Sequence, residues 1–407
     1  MAAASVAPGP HIGQILLEDL ILLFEPAQRG HEVEAPAENL RPALDIPDRN
    51  FALGIMKTID KNRPVMVTGA TGYVAGWIVK KLLDEGHTVH APVRNPDNIQ
   101  SLKYLDAIAS KSKGQIKYFK ADLLKEASYD EAMKECELVF HTASPFINTV
   151  KDPQKDLVDP ALIGTKNVIG SVSRTESVKR LVLTSSCAAI IGDAVDCLAY
   201  PHGTATEEQW NLTSTLDHQP YSYSKTVAER AAWEINQKQS RWDLLVINPS
   251  LVIGPGINPQ STSESYNLVR QLGDGRLKMG APEFYIGVVD VRDLSVAHYQ
   301  AGFLPDAKGR YIISANEASF MSLADILREK YGDRYPFPKK ALPKFLVWLM
   351  APLAGLKRKM VSRNMSYHWL VDNSKSIREL GIKYRPVDES IIEFFQQMID
   401  NKVFQRR

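Results

Sequence analysis

Val65-Met66-Val67-Thr68-Gly69-Ala70-Thr71-Gly72-Tyr73-Val74-Ala75-Gly76-Trp77-Ile78 is the stretch that decides the fold. Val65–Thr68 reads as a short buried strand. Val74, Trp77, Ile78 and Leu82 then recur at helical spacing, with Gly86 as the stop. Between them lies a glycine turn. Gly69 permits the tight bend, and Gly72 lets backbone approach a pyrophosphate whose charge faces a helix N-terminus. The spacing departs from Gly-x-Gly-x-x-Gly: Ala75 stands where a third glycine is usual and Gly76 follows it. Alanine is still small enough for close helix–strand packing. Alone, such a turn is a weak signal. Set between a strand and a helix, and followed by more strands, it becomes a strong one.

Downstream, short apolar runs alternate with helical patterns. Strands are expected at Thr88–Val93, Ile116–Lys120, Leu138–Ala143, Leu181–Ser186 and Leu244–Asn248, with a helix at Tyr223–Lys238. The alternation predicts an α/β, Rossmann-type doubly wound parallel sheet with a smaller α/β substrate lobe at the C-terminal side. Residues 1–60, rich in Ala, Pro and Glu, read as an extension of unknown role. Residues 61–250 form the nucleotide-binding domain, rejoined by about 287–309, where Val288–Val291 is expected to return to the sheet. Residues 251–286 and 310–407 make the lobe, with a ligand crevice at the carboxyl ends of the strands.

Composition sets the outer limits. The 407 residues carry a formal net charge of +2, with 44% hydrophobic and 24% charged residues, as in ordinary globular proteins. No basic stripe interleaved with aromatics suggests nucleic acid. Cys136, Cys187 and Cys197 are scattered, without zinc spacing, so no metal is expected and free thiols in a reducing compartment are. Cys187 adjoins a functional strand, which leaves sensitivity to oxidation open. Neither Ile15–Phe24 nor Phe345–Leu356 is long enough to span a bilayer. The second precedes Lys357-Arg358-Lys359, and either brushes a membrane surface or packs in the lobe; packing is the plainer reading. The cytoplasm is the expected location, and a homodimer stays open.

Chemistry is carried by Tyr221 and Lys225 in Pro220-Tyr-Ser-Tyr-Ser-Lys225. Four residues are one helical turn, so phenol and ammonium stack on one face. A cation there favours phenolate, which suits the tyrosine to proton transfer near neutral pH. Tyr223 has no lysine one turn on. Ser185 and Ser186 close the Leu181 strand, where a hydroxyl can hold a carbonyl oxygen or merely cap. Arg94 ends the second strand, and its fork suits the extra phosphate of NADPH; Asp97, the rival suited to NADH, falls beyond Pro96. Lys103 could add a second charge. Asp122 with Leu123 sits where an adenine ring would pass, or caps the next turn. His141 reads as a core histidine, and the backbone of Thr142-Ala143-Ser144 as lining for the nicotinamide ribose.

These stretches together resemble the extended short-chain dehydrogenase/reductases, above all the dihydroflavonol 4-reductase-like and cinnamoyl-CoA-reductase-like enzymes and the fungal aldehyde (methylglyoxal) ketoreductases. The matching segments are Val67–Tyr73, Val93-Arg94, Ala121-Asp122-Leu123, His141–Phe146, Leu183–Ser186, Tyr221–Lys225, Ala228–Trp233, Asn248-Pro249-Ser250 and Val289–Asp293, over about residues 63–395. The resemblance implies catalytic Ser186, Tyr221 and Lys225, with Ser186 chosen over Ser185. It implies cofactor contacts from Gly69, Thr71, Gly72, Tyr73, Val74, Arg94, Asp122, Leu123, Thr142, Ala143, Ser144, Pro249 and Ser250, and substrate contacts from Phe146 and Ser186. The expected activity is NADPH-dependent reduction of an aldehyde or ketone to the alcohol. Two rivals stand beside it. One is an NAD-retaining nucleotide-sugar epimerase or dehydratase, or a steroid dehydrogenase; the other is a non-catalytic NADP-binding scaffold.

Overall fold

Strand β1 (Val65–Thr68) is buried along its whole length, as the central strand of a sheet covered on both faces must be. The computed structural model describes residues 57–144, 150–259 and 263–404. Around β1 run β2 (Thr88–Val93), β3 (Gln115–Lys120), β4 (Leu138–His141), β5 (Arg180–Thr184) and β6 (Asp243–Pro249). The sheet has seven strands, all parallel, in the order β3-β2-β1-β4-β5-β6-β10, with β10 at Gly309–Ile313. The chain winds outward through β2 and β3, then crosses back to place β4 beside β1. That reversal opens a crevice at the carboxyl ends of β1 and β4, where the glycine turn begins.

One face of the sheet is covered by α1 (Tyr73–Asp84), through Ile78, Val79 and Leu82, packed beside Leu294 and Ala297 of α4 (Val291–Phe303). The opposite face is covered by α2 (Asp159–Arg174), through Val168 and Val172, and by Trp233 of α3 (Pro220–Asn236). The expected helix from Tyr223 begins instead at Pro220. Proline suits the first helical position, where its missing N–H has no partner to lose. Tyr221 therefore lies in the first turn.

Strand β9 (Tyr285–Asp290) corrects one expectation. It does not rejoin the main sheet, but lies between β7 (Leu251–Ile253), parallel, and β11 (Asn316–Ser319), antiparallel. The main sheet is extended instead by β10, whose residues the sequence reading placed in the lobe. Both segments are short buried runs, and periodicity alone cannot assign such a run to a sheet. Only α4, which follows β9, returns to the main sheet. The lobe core gathers around Phe394 and Phe395 of α6 (Val387–Asp400), and β8 (Ala281–Pro282) pairs with β12 (Ala341–Leu342) at its rim. All but the last four residues of the 1–60 extension lie outside the described residues, as does Phe146.

Candidate active site

The glycine turn has the shape expected of it. Gly69 adopts φ +67°, and a Cβ there would come within 3.0 Å of the Ala143 Cα, so both backbone sign and space demand glycine. Gly72 N–H donates to the Gly69 carbonyl at 2.8 Å and caps α1. The facing loop is held by Thr68, a residue the sequence reading passed over. Its Oγ1 accepts from the backbone N–H groups of Thr142, at 3.1 Å, and Ala143, at 3.0 Å. With both acceptor positions used, the hydroxyl donates to His141 Nδ1 at 2.9 Å, which leaves the imidazole proton on Nε2. Burial, with Lys225 adding to it, pushes the His141 pKa down to about 3, so the ring is a neutral core histidine.

Tyr221 and Lys225 do face one another. The Lys225 ammonium lies 5.6 Å from the Tyr221 ring centroid and donates to Ser144 Oγ at 3.2 Å. Tyr221 remains 43% exposed, and its phenol oxygen has no hydrogen-bond partner among the described residues. Helix α3, which carries both, packs against the single turn Cys187–Ala189 that Ser186 caps, its Oγ accepting from Ala188 N–H at 3.1 Å. Ser185 is spoken for. Its hydroxyl donates at 2.5 Å to Glu229, a carboxylate only 1% exposed that lies two turns beyond Tyr221 on α3.

Glu229 is the centre of a buried network with no clear signal in the sequence. It pairs with Arg310 of β10 at 2.7 Å and accepts from Asn248 Nδ2 at 2.9 Å. The same Asn248 amide donates to the Ser186 carbonyl at 3.1 Å, and the Arg310 guanidinium stacks 4.1 Å over the Trp210 ring. The end of β5 is thus clamped from behind. A second hub, Asp193, receives hydrogen bonds from His218 Nε2, Asn364 Nδ2 and Gln219 Nε2 at 2.7 to 2.8 Å, and from Arg363. Burial pushes this carboxyl up, but those bonds outweigh it and hold the pKa well below the carboxylate range. The hub joins the loop after Ser186, the residue capping α3 and the lobe.

The remaining expected contacts divide. Arg94 and Asp122 follow the ends of β2 and β3, and both act on the buried Tyr129: burial raises that phenol's pKa, Asp122 adds to the rise and Arg94 opposes it. Asp122 also accepts from Leu124 N–H at 3.0 Å, which is the turn-capping role, while Leu123 packs on Gly164. The Tyr73 hydroxyl donates to the Gly254 carbonyl at 2.6 Å, so it ties the turn to the lobe. Val74 is half-buried against the core, Thr71 is exposed, and Pro249 and Ser250 end β6 beside β10. Cys187 is sealed in: its thiol donates to the Asn248 carbonyl at 3.1 Å, and burial pushes its pKa up, both of which work against oxidation. Among the described residues no group of His, Cys, Asp or Glu could hold a metal.

The fold is that of a dinucleotide-binding protein, with Tyr221 and Lys225 on the helix packed against the turn that Ser186 caps. A family model, the NAD dependent epimerase/dehydratase family, matches residues 65–302. The cinnamoyl-CoA reductase CAD2 of Medicago truncatula is 33% identical over 351 residues, 85% of this chain and 99% of that protein. The dihydroflavonol 4-reductase of Gerbera hybrida is 33% identical over 68% of this chain and 75% of its own length. The yeast methylglyoxal/isovaleraldehyde reductase Gre2, solved complexed with NADPH, superposes with a TM-score of 0.67 at 28% identity, covering 84% of this chain and 100% of that one. The chain belongs to the NAD dependent epimerase/dehydratase family, the extended short-chain dehydrogenase/reductases, as its motifs imply.

Proposed function

We propose that the protein is an NADPH-dependent reductase that converts the carbonyl of a small aldehyde or ketone to an alcohol. The observation that carries this reading is the pairing of Tyr221 with Lys225 on the helix that packs behind Ser186. The turn fits the cofactor: φ +67° and the close approach of Ala143 admit only glycine at Gly69, so bare backbone is offered to a pyrophosphate, and Arg94 just after β2 offers a cation for the extra phosphate. NADPH, when bound, supplies the hydride. Tyr221 donates the proton to the substrate oxygen, Ser186 holds that oxygen by hydrogen bond, and the Lys225 charge stabilises the phenolate left behind and binds the ribose hydroxyls. Relatives named as reductases, one of them complexed with NADPH, support cofactor and reaction type. Three buried free thiols support a reducing compartment, the cytoplasm.

The rival readings fit less well. A dehydratase needs an acidic pair beside the serine, where Cys187-Ala188-Ala189 stands. A scaffold has no use for an open tyrosine with a cation over it. The test is consumption of reduced nicotinamide across aldehydes, diketones, flavonoid ketones and acyl-CoA thioesters. Tyr221→Phe should lose ~10²–10⁴-fold in kcat while binding NADPH as before. Wild-type turnover in that variant, or NAD retained through purification, would sink the proposal.

A further inference from the structure

One surface of the lobe is built unlike the rest. Helix α5 (Lys344–Met350) and the turn Ala351–Ala354 leave Phe345, Leu349 and Leu353 exposed at 73, 54 and 67%, with Trp348 at 40%. Only Val347, Ala351 and Ala354 turn inward. Monomeric soluble proteins rarely leave such a run of large apolar side chains facing water. The plainer expectation, a helix packed within the lobe, accounts for the small residues and not for the large ones.

The segment of chain that carries this face has charge of one sign. From Tyr335 to Val371 the chain has seven Lys and Arg residues and no Asp or Glu, in a protein of net charge +2. Some of these are occupied: Lys339 by Asp333 at 2.7 Å, and Arg363 by Asp193 and Asp196. Lys340, Arg358 and Lys359 have no carboxylate partner among the described residues, and all three are exposed. Lys340 precedes the face, next to β12; Arg358 and Lys359 follow it. The Arg358 guanidinium sits 4.4 Å over the Trp348 ring, which puts a cation directly against the apolar side chains.

We infer that this face docks on the surface of an anionic lipid bilayer. Phe345, Trp348, Leu349 and Leu353 would enter the boundary between headgroups and acyl chains, while Lys340, Arg358 and Lys359 meet the lipid anions. Charge selects this occupant over a second copy of the chain, because face-to-face pairing would set one basic rim against another. Docking would be peripheral: among the described residues no helix is long and apolar enough to cross a membrane. The inference does not depend on the proposed reaction.

Flotation of the full chain with phosphatidylcholine vesicles, with and without about a third phosphatidylserine, tests it. The protein should bind the anionic vesicles roughly a hundredfold more strongly than the neutral ones, and high salt should release it. Phe345→Ser/Leu349→Ser/Leu353→Ser and, separately, Arg358→Glu/Lys359→Glu should each weaken binding by roughly tenfold or more with the melting temperature unchanged. The charge reversal touches only exposed side chains, so it reads binding even where the serine variant folds poorly. Absence of flotation, equal binding to both vesicles, or indifference to the charge reversal overturns the inference. So does a wild-type dimer that the serine variant converts to monomer, since the face would then be a subunit interface.

Discussion

Glu229→Ala removes the carboxylate facing Arg310, whose guanidinium is 2% exposed in the wild type. Breaking a buried ion pair from one side leaves a charge without compensation and costs about 3–5 kcal/mol. The Ser185 hydroxyl also loses its acceptor, adding about 1 kcal/mol. The Trp210 ring stays under the Arg310 guanidinium and softens the loss slightly. A total of about 4–6 kcal/mol, at roughly 2 °C per kcal/mol for a large domain, lowers the melting temperature by about 8–12 °C. Thermal unfolding followed by circular dichroism reads this directly. Glu229→Leu/Arg310→Met should recover most of it, because no charge is then buried alone. A drop below about 2 °C for Glu229→Ala, or a double variant no better than the single, would show that this pair does not hold β10 to α3.

Three further outcomes are expected. His141 and His298 are held neutral by burial, at pKa values of about 3 and about 4. Their folded values lie below the unfolded one of about 6.5, so the unfolded chain binds more protons in that window and stability falls as pH drops from 6.5 toward 4. His298→Gln should flatten that slope in melting curves. Arg94→Ala should raise KM for NADPH by roughly tenfold and leave KM for NADH nearly unchanged, which initial rates with each cofactor will check. Gly69→Ala forces a side chain to φ +67° and against the Ala143 backbone. It should cost at least about 1–2 kcal/mol and abolish cofactor binding measured by nicotinamide fluorescence.

The path from β1 to β6 was legible because each buried run is bounded by turn residues and answered by a helix. Tyr221 and Lys225 were legible because helical spacing needs no tertiary knowledge. What escaped reading depends on partners far away in the chain. Val288-Val289 looks like any buried strand, so nothing local shows that it belongs to the lobe sheet. Glu229 looks like a solvated helix charge until Arg310, distant in sequence, arrives beside it. Thr68 looks like the end of a strand, and its three hydrogen bonds appear only once β4 lies alongside. Asp193 is opaque for the same reason, since its donors come from 218–219 and 363–364.

The bonds between α1 and the segment after β7 bear on how this chain can be cut. Tyr73 and Trp77 donate to the carbonyls of Gly254 and Pro255, and Gln397 of the last helix both donates to and accepts from the Gly256 backbone. A fragment ending at residue 302, where the family match stops, would lose Gln397 and also β10, the strand that covers the outer edge of β6. The borders of the family model and of the domain's own contacts therefore differ: β10 and Gln397, which hold β6 and the segment after β7, both lie beyond residue 302.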